Sequence, residues 1–231
     1  MKPLSPPQSQ SSQPGVYLSK RVLLPLIRAT LTQDFRVFHE FAYAGRSEAV
    51  SRVEQRMAAY EQLLRGVQAQ YASMGRIDRK GLQNYVAALQ LDANFSGVQA
   101  IGQIDWVPAA QKESHLAKMR SLDFNDYRIR PEGAREAYAP VVQREPFIGL
   151  NRAAFGFDGW AEPARHLAME RARDSGMTAI SGKVRLGIET APVEQPGFVM
   201  YLPLYAGNQP NDTLEQRRAK LIGWVFASFR M

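Results

Sequence analysis

The sequence has no cysteine. That excludes disulfides, thiolate nucleophiles and cysteine zinc sites together. Only three histidines are present, His39, His115 and His166, and no two of them stand at metal-ligand spacing. No metal and no cofactor is expected. No apolar run approaches the roughly 20 residues that cross a bilayer as a helix. The longest run near the start, Val22 to Ile27, follows Lys20-Arg21 and carries Pro25 inside it. It is shorter than the roughly 7–15 apolar residues of a signal-peptide core. The glycine-rich, nucleophile-elbow and zinc-protease motifs (GxGxxG, GxSxG, HExxH) are missing as well. Gly176 to Lys183 (GMTAISGK) imitates a phosphate loop, but the glycines are one residue too far apart and Val184 stands where a hydroxyl should bind magnesium.

What is present is a chain of 231 residues, 45% hydrophobic, which is enough to build a core. The net charge of +7 is carried by bases spread along the chain among acids, so no nucleic-acid stripe stands out. Residues 1–15 are rich in Pro, Ser and Gln, and 1–44 are expected to form a poorly ordered extension, with a helix possible within 22–42. After Gly45, apolar residues recur at Val50, Val53, Met57, Tyr60, Leu64, Val67, Tyr71 and Met74. The alternating spacing of 3 and 4 is a sustained heptad seam. Ser47 is the expected N-cap and Gly75 the expected stop. Such a helix either packs along its own domain or forms a stalk that pairs with a second copy through those eight residues. A second helix starts at Asp78 and shows Leu82, Tyr85, Val86 and Leu89 on one face.

The character changes after Asn94. Val98 to Trp106 reads as a strand, Pro108 to Met119 as a short helix, Tyr127 to Arg130 as a short strand, and Ala139 to Gln143 as a second main strand. Pro163 suits a helix N1 position and Gly176 suits the residue just past its end. Strand-like runs follow at 178–186, 198–205 and 221–229, with turns at Pro196-Gly197 and at 208–212. The predicted fold is α+β: a long N-terminal stalk helix, then a PAS-like domain with an antiparallel sheet of about five strands. The expected division is 45–92 for the two helices and 93–231 for the ligand-binding domain.

The carboxylates Glu136, Glu145, Asp158, Glu162 and Glu170 include no pair singled out by spacing, and no nucleophile arrangement accompanies them, so an enzyme is not expected. The stretch from Tyr127 to Tyr205 carries an ordered set of short motifs. They are Y-x-I-x-P-x-G-x-R at Tyr127 to Arg135, Y-x-P-V at Tyr138 to Val141, and Glu145-Pro146. Asn151, Gly156 and Asp158 follow, then E-P-x-R-x-x-A at Glu162 to Ala168, Ala172 with Gly176, and Pro203 with Tyr205. Their order and spacing resemble the CHASE family over about residues 46–229. The resemblance implies an extracytoplasmic, periplasmic input domain of a membrane receptor, coupled elsewhere to a histidine kinase or a diguanylate cyclase. It also implies a small-molecule ligand, with an adenine derivative as one candidate because plant members bind cytokinins. By the same resemblance the chain holds the stalk and the membrane-distal domain of a cut-down or truncated receptor.

A sheet roofed by helices and loops offers a concave, mostly apolar site. The residues expected to line it are Tyr127, Tyr138, Val142, Phe155, Phe157, Thr178, Ile180 and Leu202. Arg135 and Arg165 could hold an anionic ligand, or each could make an ion pair with Glu136, Glu162 or Asp158. A ligand-free dimerisation or spacer module remains the competing reading.

Overall fold

The computed structural model describes residues 35–75, 77–186, 195–207 and 211–231. The 1–15 segment, the Val22–Ile27 run and the first part of the 208–212 turn lie outside the described residues. Two compact units divide between Gln55 and Arg56. Helix α1 (Phe35–Met74) contributes its residues up to Gln55 to the first; it is already formed at Phe35, and Ser47 is interior to it rather than its cap. A single glycine, Gly45, costs a helix interior only about 1 kcal/mol, and the chain runs through it. Val50 and Val53 are exposed here, and Arg52 Nη2 pairs with Glu48 Oε1 at 2.7 Å.

The second unit is a sheet covered on both faces. Its long strands are β1 (Val98–Asp105), β4 (Val141–Glu145), β7 (Gln195–Tyr205) and β8 (Leu221–Arg230). Two short strands, β5 (Ala179–Ile180) and β6 (Val184–Leu186), share one edge of β7. The order β4-β1-β8-β7-β5 is antiparallel throughout. This gives the five-position antiparallel sheet of the predicted α+β fold. A two-residue ribbon of β2 (Val107–Pro108) and β3 (Ala137–Tyr138) lies apart from it. Tyr127 to Arg130 is not a strand: only Arg130 makes a bridge, to Phe157. Pro196-Gly197 is not a turn but part of β7, paired with Arg185 and Val184. Gly197 is required there, because a Cβ would fall 2.2 Å from both the Leu186 side chain and the Phe229 carbonyl.

One sheet face is covered by α1 and α2 (Arg79–Leu89). Asp78 caps α2 by accepting from Gly81 N, and α2 turns Leu82 and Val86 inward. Tyr60, Leu64 and Val67 of α1 are buried with Ile101, Leu202, Val225 and Phe229 of the sheet, and Met57 and Tyr71 pack against that core. The seam expected to pair with a second copy is therefore occupied by this chain's own sheet from Met57 to Tyr71. The heptad pattern arises because a helix lying along a sheet also buries one stripe. Met74 stays exposed.

The opposite face is covered by α6 (Pro163–Ser175), with Pro163 at its first turn and Gly176 in the left-handed conformation at its end, as predicted. Met169 and Trp224 are fully buried there, and Trp224 Nε1 donates to Met169 O at 3.1 Å. A short helix α7 (Leu214–Lys220) precedes β8, held by a capping box between Thr213 and Gln216.

Candidate functional site

Two places in the second unit carry polar groups against apolar walls, one on each sheet face. The larger is a groove of about 670 Å³ on the face that α1 and α2 cover. Its floor is β1 and β4. Its sides are the last turns of α1, the start of α2, and α4 (Lys112–Arg120). Ile101, Gln103 and Asp105 alternate along β1, so all three point to this face. Gln103 and Asp105 face the groove between these helices. Tyr71, Ile77, Trp106, Met119, Phe124, Val142 and Ile222 give it an apolar lining.

The polar groups are linked. Gln103 Nε2 donates to Asp105 Oδ1 at 3.0 Å. His115 Nδ1 lies 3.8 Å from Asp105 Oδ2, and His115 Nε2 is 3.0 Å from the Tyr127 hydroxyl. Burial pushes the Asp105 carboxyl up, against the pull of Lys118 and of Gln103. Burial, then the Lys118 charge, pushes His115 down to about 4. Near neutral pH the contact is thus a neutral imidazole beside a carboxyl held above its ordinary range, not a strong ion pair. The neighbouring Tyr71 phenol is raised by burial and then by the Asp105 charge. Gln143 donates through Nε2 to Ile77 O at 2.8 Å, and its buried Oε1 has no hydrogen-bond partner. An unanswered acceptor in a groove wall is what a ligand donor would satisfy.

On the other face a small compartment of about 20 Å³ lies between the sheet and the segment leading into α6. It is lined by Ile104, Val141, Arg144, Phe157, Arg165, Leu186, Tyr201 and Phe226, among others.

The predicted site residues do not converge. Val142 lines the groove. Tyr127 stands behind it through His115, in a cluster with Leu116, Met119 and Tyr138. Phe155 packs on Phe124, Tyr127 and Phe147 beside that cluster. The Tyr138 hydroxyl donates to Gly133 O at 3.0 Å, fixing a loop. Arg135 Nε donates to Asp158 Oδ2 at 3.0 Å. Asp158 also accepts from the Ala139 and Trp160 amides, so this arginine holds the fold in the alternative role the sequence left open. Phe157 lines the small compartment, with the Arg165 guanidinium 5.3 Å from its ring centre. Thr178 Oγ1 donates to Glu61 on α1 at 2.9 Å. Ile180 is exposed on β5, and Leu202 is fully buried in the core under α1. The groove residues Gln103, Asp105, His115, Lys118 and Gln143 were missed. The signal for two of them was readable: Gln103 and Asp105 are polar, two apart, on a strand that is otherwise apolar.

An antiparallel sheet between a long helix and a second helical layer defines an α+β domain. Residues 75–231 match the CHASE domain, and the chain belongs to that family. CHASE domains are extracytoplasmic sensor domains of receptors. A search of curated protein sequences finds no match to this chain. Among the described residues, no helix is long and apolar enough to cross a membrane.

Proposed function

We propose that this chain is a small-molecule input domain whose ligand sits in the groove between β1, β4, α4 and the end of α1. The observation that carries the reading is the groove itself: its volume of about 670 Å³ is within the range of roughly 300–1,000 Å³ usual for ligand sites. Its walls combine aromatic and aliphatic side chains with a few convergent polar groups. A raised Asp105 carboxyl, the Lys118 amine, and the unanswered Gln143 Oε1 supply recognition of a polar heterocycle or amide-bearing ligand.

The signal follows from position. Tyr71 near the end of α1 and Ile77 to Arg79 at the start of α2 line the same groove. A ligand that fits one placement of these elements better shifts the population toward it, and α1 carries the change. Pairing of α1 with a second copy is retained in this proposal only for the exposed Val50–Val53 stretch. The output partner is a transmembrane and cytoplasmic module.

The test is a thermal-shift screen of the chain with adenine derivatives, other purines, amino acids and small carboxylates. A ligand at 100 times its dissociation constant stabilises the fold by about 2.7 kcal/mol, a shift of several degrees. Ser114, exposed on α4 at the groove, is changed in parallel to tryptophan (Ser114→Trp) to fill the space. The expected result is a shift by one compound class that this variant abolishes. A shift that survives Ser114→Trp in full places the ligand elsewhere and overturns the groove assignment.

A further inference from the structure

A separate cleft lies between the segment 123–130, which follows α4, and the segment 147–155, which contains the short helix α5 (Gly149–Ala153). Its volume of about 380 Å³ is inside the range of roughly 300–1,000 Å³ usual for ligand sites. No strand of the sheet and no residue of α6 lines it. The lining is aromatic. Phe155 packs on Phe124 at 4.6 Å, on Tyr127 at 5.0 Å and on Phe147 at 5.6 Å between ring centres. Phe124, Phe147 and Phe155 all stay half-buried, so the cluster presents ring surface to the cleft instead of closing over it. The charges are divided between the two walls. Arg152, at the end of α5, is exposed and stands 6.0 Å from the centre of the Phe147 ring, on which Arg79 stacks at 3.8 Å. Burial lowers the Arg79 guanidinium, Glu145 opposes that, and the Arg152 charge adds to it. Arg130 is fixed through Nη2, which donates to Ala153 O at 2.7 Å and Phe155 O at 3.0 Å; its Nε and Nη1 have no partner among the described residues. Asp123 and Asp126, both exposed, stand on the other wall. Among the described residues Arg152, Asp123 and Asp126 form no ion pair.

We infer that this cleft binds a short peptide ending in an aromatic residue. Its C-terminal carboxylate sits on Arg152 and Arg130, its ring joins the Phe147–Phe155 cluster, and its N-terminal ammonium meets Asp123 and Asp126. A free guanidinium fork matches a carboxylate through paired N–H donors, and Arg152 has its fork free. An added ring extends the edge-to-face packing that the phenylalanines already make with one another. A lone anion would leave the aspartates facing it, and a lone cation would face the arginines, so a ligand with both charges fits the lining best. A free amino acid carries both charges on one carbon. A dipeptide spreads them over roughly 6 Å, which lets them reach two walls with the ring between. The cleft shares Phe124 with the groove but none of the groove's polar groups, so the inference stands whether or not the groove holds a ligand.

The test is calorimetric titration of the full chain with alanyl-phenylalanine at neutral pH and fixed ionic strength. Three analogues each lack one part: alanyl-phenylalaninamide the carboxylate, N-acetyl-alanyl-phenylalanine the ammonium, and alanyl-alanine the ring. The expected result is saturable binding of alanyl-phenylalanine, with each analogue at least tenfold weaker. Arg152→Gln is expected to weaken alanyl-phenylalanine tenfold or more. Asp123→Asn and Asp126→Asn together are expected to remove the preference over the N-acetyl form. All three side chains are exposed, and thermal melting confirms a folded chain. Ser114→Trp leaves the binding intact, because Ser114 lines the groove and not the cleft. No binding of alanyl-phenylalanine, equal binding of any one analogue, unchanged affinity in Arg152→Gln, or loss of binding in Ser114→Trp overturns the proposal.

Discussion

The two faces of the sheet solve the same packing problem and leave opposite remainders. Under α1 and α2 the core is apolar and complete as far as the helices reach, and where they stop the sheet carries Gln103 and Asp105 into an open groove. Under α6 the polar remainder is Arg144, which is buried, and Arg165, which is partly covered. The groove sets Asp78 and Asp105 against Arg79 and Lys118, so its charges balance. The compartment lining holds two arginines, Arg144 and Arg165, and no acid. The lesson is that polar residues on a sheet carry different information depending on whether the layer above them ends or continues.

The comparison is broken most severely by removing the shared foundation. Leu64→Ala under α1 and Met169→Ala under α6 each empty a fully buried site. Each is expected to cost about 2–5 kcal/mol in urea denaturation. A loss well under 1 kcal/mol at Leu64 would mean that α1 is not part of this core. Next is a pH effect confined to the open face. His115 is lowered to about 4 from an ordinary value of 6.5. Its folded form prefers to be neutral, so its contribution is present above pH 6.5 and is lost as pH falls from there through about 4. The loss reaches roughly 3 kcal/mol at most. Asp105, raised by burial, works the other way, contributing below its ordinary value and losing that contribution as pH rises through its raised one. Comparing Tm against pH for the wild type and His115→Gln isolates the histidine part; identical profiles would rule it out.

Smaller effects sharpen the contrast. Trp224→Phe on the α6 face deletes the indole bond to Met169 O, while that carbonyl keeps its place in the helix ladder, a loss of about 0.5–1.5 kcal/mol by denaturation. The exposed pair of Arg218 with Asp174, at 2.6 Å, joins α7 to the end of α6. Arg218→Ala is expected to cost about 0–1 kcal/mol, less in high salt.

Local signals were readable where one short segment decides the outcome. Glu162-Pro163 and Gly176 mark both ends of α6, and Asp78 marks the start of α2. The runs that became β7 and β8 were apolar enough to be found, although β7 begins earlier than Pro196-Gly197 suggested because β6 pairs with it there. Helix α7 was missed despite a legible Thr213-x-x-Gln216 capping box, since turn residues just before it dominated the reading. The partner of the heptad seam was not legible, because a sheet and a second helix ask for the same apolar stripe. The sites were hardest. The groove draws on Tyr71, Asp105, His115 and Gln143, and the compartment on Arg144, Arg165 and Tyr201. Only strand pairing and helix docking bring such distant positions together, and no spacing along the chain encodes that.

Because the chain has no cysteine, one introduced thiol reports one place. The most direct measurement is the alkylation rate of Ser114→Cys at the groove, with Ser96→Cys as the remote control, in the absence and presence of whichever compound stabilises the chain in the screen. The account predicts that the compound slows labelling at position 114 several-fold and leaves position 96 unchanged. Equal labelling at position 114 with and without a stabilising compound would contradict it.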